Sequence, residues 1–165
     1  MRLRRHGRER GFTYFGLLVV VAIMGVMLAA SGEVWHIAQK RDREQELLFV
    51  GNQFRQAITE YYEHTPAQEQ RYPANLEDLL GDPRYPSTQR YLRKIYRDPV
   101  GGSGKWGLIK GPGGEIYGVR SLSEEEPVKK SNFSLADKNF EGKTKYADWV
   151  FVHAQSQQPA TPSQH

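Results

Sequence analysis

The chain has no cysteine among its 165 residues. Disulfides and cysteine-ligated metals are excluded, and the redox compartment is left undetermined. Histidine is sparse: His6, His36, His64, His153 and His165 are scattered, and none stands at a metal-ligand spacing. No serine sits in a Gly-x-Ser-x-Gly elbow, so nucleophilic hydrolysis has no sequence support. The one glycine-rich stretch that invites a phosphate-loop reading, Gly101 to Lys105, fails on inspection. Such a loop needs a glycine five residues before Gly104 and a serine or threonine after the lysine, and Pro99 and Trp106 stand there. Nothing in the chain points to an enzyme. Proline is missing between Phe12 and His64, and charge is missing between Gly11 and Gly32.

A basic excess is missing too, once position is considered. The formal net charge is +4, but five of the 23 basic residues and one of the 19 acidic residues fall in the first ten positions, leaving 18 of each behind them. A chain that is neutral beyond its leader carries no global footprint for nucleic acid. Arg2, Arg4, Arg5, Arg8 and Arg10 are better explained by topology, because arginines flanking an apolar segment hold that end in the cytoplasm.

What is present begins with the apolar run itself. From Gly11 to Ala30 it is about 20 residues long, enough for one helix to cross a bilayer. The segment from Trp35 to Arg43 turns polar. Leu47, Val50, Phe54, Ala57, Ile58 and Tyr61 then recur at three- and four-residue spacing, with Glu44, Glu46, Gln53, Arg55, Gln56 and Glu60 assigned to the other face. If 12–64 is one helix, it is on the order of 80 Å long. Its apolar stripe needs a partner, so a C-terminal domain is expected against the second half. Pro66 is the expected helix breaker. A short helix over Tyr72 to Leu80 with Asn75 as N-cap and a helical turn over Arg90 to Tyr96 follow. Trp106 to Ile109 and Glu115 to Ser121 read as a hairpin about the turn Lys110 to Gly114, and Asp148 to Val152 as a third strand. The fold class expected is α+β, a long N-terminal helix packed by its second half on a small antiparallel sheet of about three strands. The tail from Ala154 lacks apolar content and reads as disordered.

A conventional signal peptide would need small residues at a cleavage site after the apolar region, and Ala29 to Gly32 loosely supply one. The junction upstream fits better. A basic leader, then Gly11, then Phe12 and Thr13 opening an apolar helix resembles the signal of type IV pilins and type II secretion pseudopilins. The resemblance implies that a prepilin peptidase cuts after Gly11 and that Phe12 becomes the N-methylated first residue. It implies a pilin-like ladle whose membrane-spanning first half-helix enters a filament core. Tyr72-Pro73, the leucines from Leu76 to Leu80 and Asp98-Pro99 are similar to the connecting region of major type II pseudopilins. The boundaries that follow are leader 1–11, transmembrane and assembly half-helix 12–32, amphipathic half-helix 33–64, periplasmic domain 65–153 and tail 154–165.

One position departs from the family pattern. Glycine stands at Gly16, where the family usually places a glutamate that pairs with a neighbour's N-terminal amine. A minor or tip subunit, or a system that assembles by packing alone, would account for it. The resemblance also implies a loop between the second and third strands that can bind calcium. That loop, Leu122 to Ala147, mixes carboxylates with Lys129, Lys130, Lys138, Lys143 and Lys145 and lacks the usual glycine and aspartate run. A solvated, partly ordered loop is the reading taken, with Glu125 and Asp148 as the ligands if calcium binds. The expected partners are the prepilin peptidase, other pseudopilin subunits, an inner-membrane assembly platform and membrane lipid. The expected location is the inner membrane, single-pass, with the C-terminal domain periplasmic. A type IV or competence pilin-like subunit and a signal-anchored periplasmic binding domain are the alternatives.

Overall fold

The computed structural model describes residues 10–65 and 70–153, apart from the side chains of 10–13 and 28–34. The chain divides into two units, Met1–Lys40 and Arg41–His165. One helix, α1 (Arg10–Glu63), runs through both. The absence of proline and the unbroken helix-compatible pattern allow this length. Pro66, the expected breaker, and the tail 154–165 lie outside the described residues.

In the second unit, α1 supplies one side of the core. Leu47, Val50, Phe54, Ala57, Ile58 and Tyr61, the stripe read from the sequence, are all buried. Gly51 lies within the stripe, and a Cβ there would overlap the Phe151 ring, so glycine lets a strand aromatic seat directly on the helix backbone. The helix is stopped by side chains as well as by sequence. Arg84 Nη2 donates to the Tyr61 carbonyl at 2.9 Å, and Nη1 donates to Thr65 Oγ1. The guanidinium lies 3.7 Å over the Tyr61 ring. A cation on the last carbonyls of a helix satisfies orphan acceptors and complements the negative end of the dipole.

The sheet has three antiparallel strands in the order β1 (Gly107–Lys110), β2 (Ile116–Arg120), β3 (Val150–Val152). Leu108 faces Val119 and Val119 faces Phe151 across the ladders, with a register shift between Ile109 and Lys110. The fold is therefore α+β, as expected; β2 and β3 are shorter than read by one or two residues at their ends, and β1 is shifted by one so that Lys110, assigned to the turn, belongs to the strand. Phe54 meets Trp106 edge to face at 5.3 Å, and Phe140 stacks on Trp149 at 5.4 Å. Offset and T-shaped aromatic contacts of this kind add to the area they bury.

Two local expectations change. Tyr72 to Leu80 forms only a 3-10 turn, Leu76–Leu79, with Asn75 at its N-cap and the Asp78 carboxylate accepting the Asn75 N–H at 3.0 Å. Arg90 to Tyr96 is not helical. The N–H groups of Tyr91 and Leu92 both bond to the Leu79 carbonyl, which holds this segment against the preceding turn and leaves no ladder of its own.

Candidate functional site

The sequence placed its main functional features in the first half of α1. Gly11 and Phe12 lie in the helix, which begins at Arg10, and their side chains fall outside the described residues. From Tyr14 to Val26 every large apolar side chain is 42–72 % exposed. Consecutive helical residues point in every direction, so this surface is apolar all round rather than along one stripe. A Cβ at Gly16 would have nothing within 4 Å. Among the described residues no helix is long and apolar enough to cross a membrane.

The loop between β2 and β3 was expected to be solvated and partly ordered. It is instead pinned to α1 at two points. Glu44, expected on the polar face, is 4 % exposed. Its carboxylate accepts the Val128 N–H at 2.8 Å, the Lys129 N–H at 3.0 Å and the Tyr146 hydroxyl at 2.9 Å. Burial, then this bond to Glu44, pushes the Tyr146 phenol well above its ordinary value, so it stays a donor. Three turns along, Arg55 Nη1 donates to Asp137 Oδ1 at 2.9 Å and to Asn52 Oδ1 at 2.7 Å. Asn52 and Ser134 donate to Asp137 Oδ2. Arg55, also assigned to the polar face, lies within 5.8 Å of the Phe140 and Phe151 ring centroids. A signal for Glu44 was available: it precedes Leu47 by three residues and so extends the buried stripe by one turn.

The two calcium candidates are not brought into a ligand set. Glu125 and Asp148 are exposed. Their neighbours Glu124 and Glu126 are each 2.6 Å from a lysine, Lys145 and Lys130. Among the described residues no group of three or more histidine, aspartate or glutamate side chains is placed to hold a metal ion. Calcium asks for about six to eight converging oxygens, and neither Glu125 nor Asp148 is grouped with two further such side chains among the described residues.

A third buried carboxylate, Asp82, holds the capping Arg84 at 2.5 Å and accepts the Tyr91 hydroxyl at 3.0 Å. Burial alone would raise the Asp82 pKa, but the bonds from Arg84 and Tyr91 outweigh it and the value is lowered. Tyr91, half-buried and bonded to that carboxylate, is pushed up to about 12 by desolvation and then by that bond. A cleft of about 550 Å³ beside Tyr62, Tyr72 and Tyr117 is lined by groups already engaged with one another, Tyr62 with Gln70 and Tyr117 with Glu115. It presents no nucleophile beside a base. These buried groups organise packing, whereas the large apolar side chains from Tyr14 to Val26 stand exposed.

No family model, curated protein or solved structure matches this chain.

Proposed function

We propose that the chain is a pilin-like structural subunit, of a type II secretion pseudopilus in preference to a long type IV pilus. The observation that carries the reading is the contrast within α1. Behind an arginine-rich leader and the Gly11–Phe12 junction, its residues from Tyr14 to Val26 are apolar and exposed on all sides. Its residues from Leu47 to Tyr61 pack into a core. A helix so divided suits a subunit stored with one half in lipid and transferred into a filament, where neighbouring helices replace the lipid and the apolar surface stays out of water. The pilin-like ladle, the membrane-spanning first half and the inner-membrane location belong to this reading. So do the peptidase, sister subunits and the assembly platform as partners. The work is mechanical: growth of the filament, driven by a separate ATPase, pushes substrates outward.

Intact mass and N-terminal sequencing of the membrane-extracted protein, with and without prepilin peptidase, test the proposal. A chain that begins at N-methylated Phe12 only when the peptidase is present supports it. A chain that keeps Arg2 to Arg10 in both cases makes this a signal-anchored domain and removes the filament reading.

A further inference from the structure

The residues behind the leader carry equal numbers of acidic and basic groups, but the fold does not distribute them evenly. Among the described residues four carboxylates, Glu44, Asp82, Asp98 and Asp137, are buried, against one buried arginine, Arg55. Asp98 is turned inward onto the Ser121 hydroxyl at 2.7 Å and the Val100 N–H at 2.9 Å. Acidic charge is thus withdrawn from the surface while basic charge stays on it. Part of this basic charge lines one cleft. A cleft of about 520 Å³ is lined by Arg43 from α1 and by Lys94, Tyr96 and Arg97 from the segment before Asp98. Glu46 is the acid that also lines it, so the four charged side chains sum to two positive charges.

All three cations are exposed, and among the described residues none of them is in an ion pair. Lys94 Nζ lies 5.2 Å from the Tyr96 ring centroid, which leaves the face of the ammonium away from the ring open to a ligand. Arg97 is positioned by the glycine loop that follows. Gly104 has a φ of +65°, and a Cβ there would sit 2.6 Å from Arg97 Nε. Its carbonyl accepts the Asp98 N–H at 3.0 Å, tying the loop to the residue next to Arg97. Three cations lining one cleft against the single carboxylate of Glu46 leave an excess of positive charge that favours an anion from outside, and guanidinium groups match phosphate oxygens two at a time. Arg43 stands eleven positions beyond Gly32, the last residue of the uncharged run, on the same helix.

We propose that the cleft formed by Arg43, Lys94 and Arg97 is a binding site for the phosphate of an anionic phospholipid headgroup. It would dock the folded domain on the membrane surface while the apolar half of α1 is stored in the bilayer. The inference rests on the membrane-stored subunit proposed above. Release of this contact would then accompany extraction into a filament.

Lysine reactivity gives the test. The full processed chain is reconstituted into vesicles of phosphatidylcholine alone or mixed with phosphatidylglycerol. Acetylation of Lys94 is followed by mass spectrometry, with Lys138 on the loop between β2 and β3 as the internal reference. Lys94 is expected to react roughly fivefold more slowly in the anionic vesicles, the usual size of one basic contact with an anionic surface. Salt at about 1 M, where the screening length falls to about 3 Å, should abolish the difference, and so should the double variant Arg43→Gln, Arg97→Gln. Glu46→Gln should enlarge it. Equal reactivity of Lys94 in both vesicles, with the protein still floating with the lipid, overturns the site and leaves the membrane reading intact. Failure to float with either vesicle overturns both. Inorganic phosphate protecting Lys94 equally well in phosphatidylcholine vesicles overturns the lipid assignment in favour of a soluble anion.

Discussion

Glu44 illustrates how a charged residue can organise a fold without being catalytic. Three donors, two backbone and one phenolic, converge on its carboxylate. Removing it leaves the buried Tyr146 hydroxyl and two half-buried backbone N–H groups without their acceptor, and a buried stranded donor costs about 1–3 kcal/mol. Glu44→Ala is therefore expected to lower stability by about 2–3 kcal/mol, read from chemical unfolding of the detergent-solubilised protein. Glu44→Gln should recover part of the loss, because the amide oxygen still accepts but its NH2 faces other donors. Asp82 gives a pH dependence with a definite sign. Its folded pKa lies below its ordinary 3.8, so its contribution is complete above that value. The contribution fades as pH falls from 3.8 through the lower folded value. Thermal unfolding followed by circular dichroism should show wild type losing stability below about pH 4 more steeply than Asp82→Asn. Equal acid limbs in the two proteins would mean the Asp82–Arg84 contact contributes little to stability.

At the scale of the element, α1 changes character along its length, and Gly16 sits in the half that has no internal partner. A Cβ there meets nothing, so Gly16→Glu has no steric cost within the chain. In a subunit stored in a bilayer as proposed, a lone carboxylate in the apolar run is costly, up to about 2.5–3.5 kcal/mol at the bilayer centre, unless a cation meets it. If the position faces the free N-terminal amine of a neighbouring subunit, the variant should raise subunit-to-subunit crosslinking in membranes several-fold. Unchanged or reduced crosslinking would place no amine beside residue 16. The second half of α1 is held differently, by its apolar stripe, by Arg84 on its last turn and by two polar tethers to the loop before β3. That loop showed as solvated in the sequence because its carboxylates and lysines alternate. What orders it is Asp137 meeting Arg55, and Tyr146 meeting Glu44, across 82 and 102 residues of chain. No local pattern encodes contacts at that separation.

For the whole molecule the decisive quantity is where charge ends up. Counted along the chain behind the leader, acids and bases balance at 18 each. Counted on the surface they do not, because four acids and one base are buried among the described residues. A chain cut to begin at Phe12, in neutral detergent, should accordingly bind a cation exchanger at neutral pH despite its formal neutrality. Arg43→Gln, Lys94→Gln and Arg97→Gln combined should elute at clearly lower salt. Flow-through of the wild type would mean that the exposed acids offset the cleft. The amino-acid sequence by itself determined the long helix, its apolar stripe, the three strands and the Gly11–Phe12 junction, since each depends on residues within a few positions of one another. Only the tertiary structure decided that Glu44 and Arg55 turn inward, that the loop before β3 is pinned and that Arg43 joins Lys94 and Arg97. The physical reason is that a buried charge is set by the partners that fold around it, and those partners lie far away in the chain.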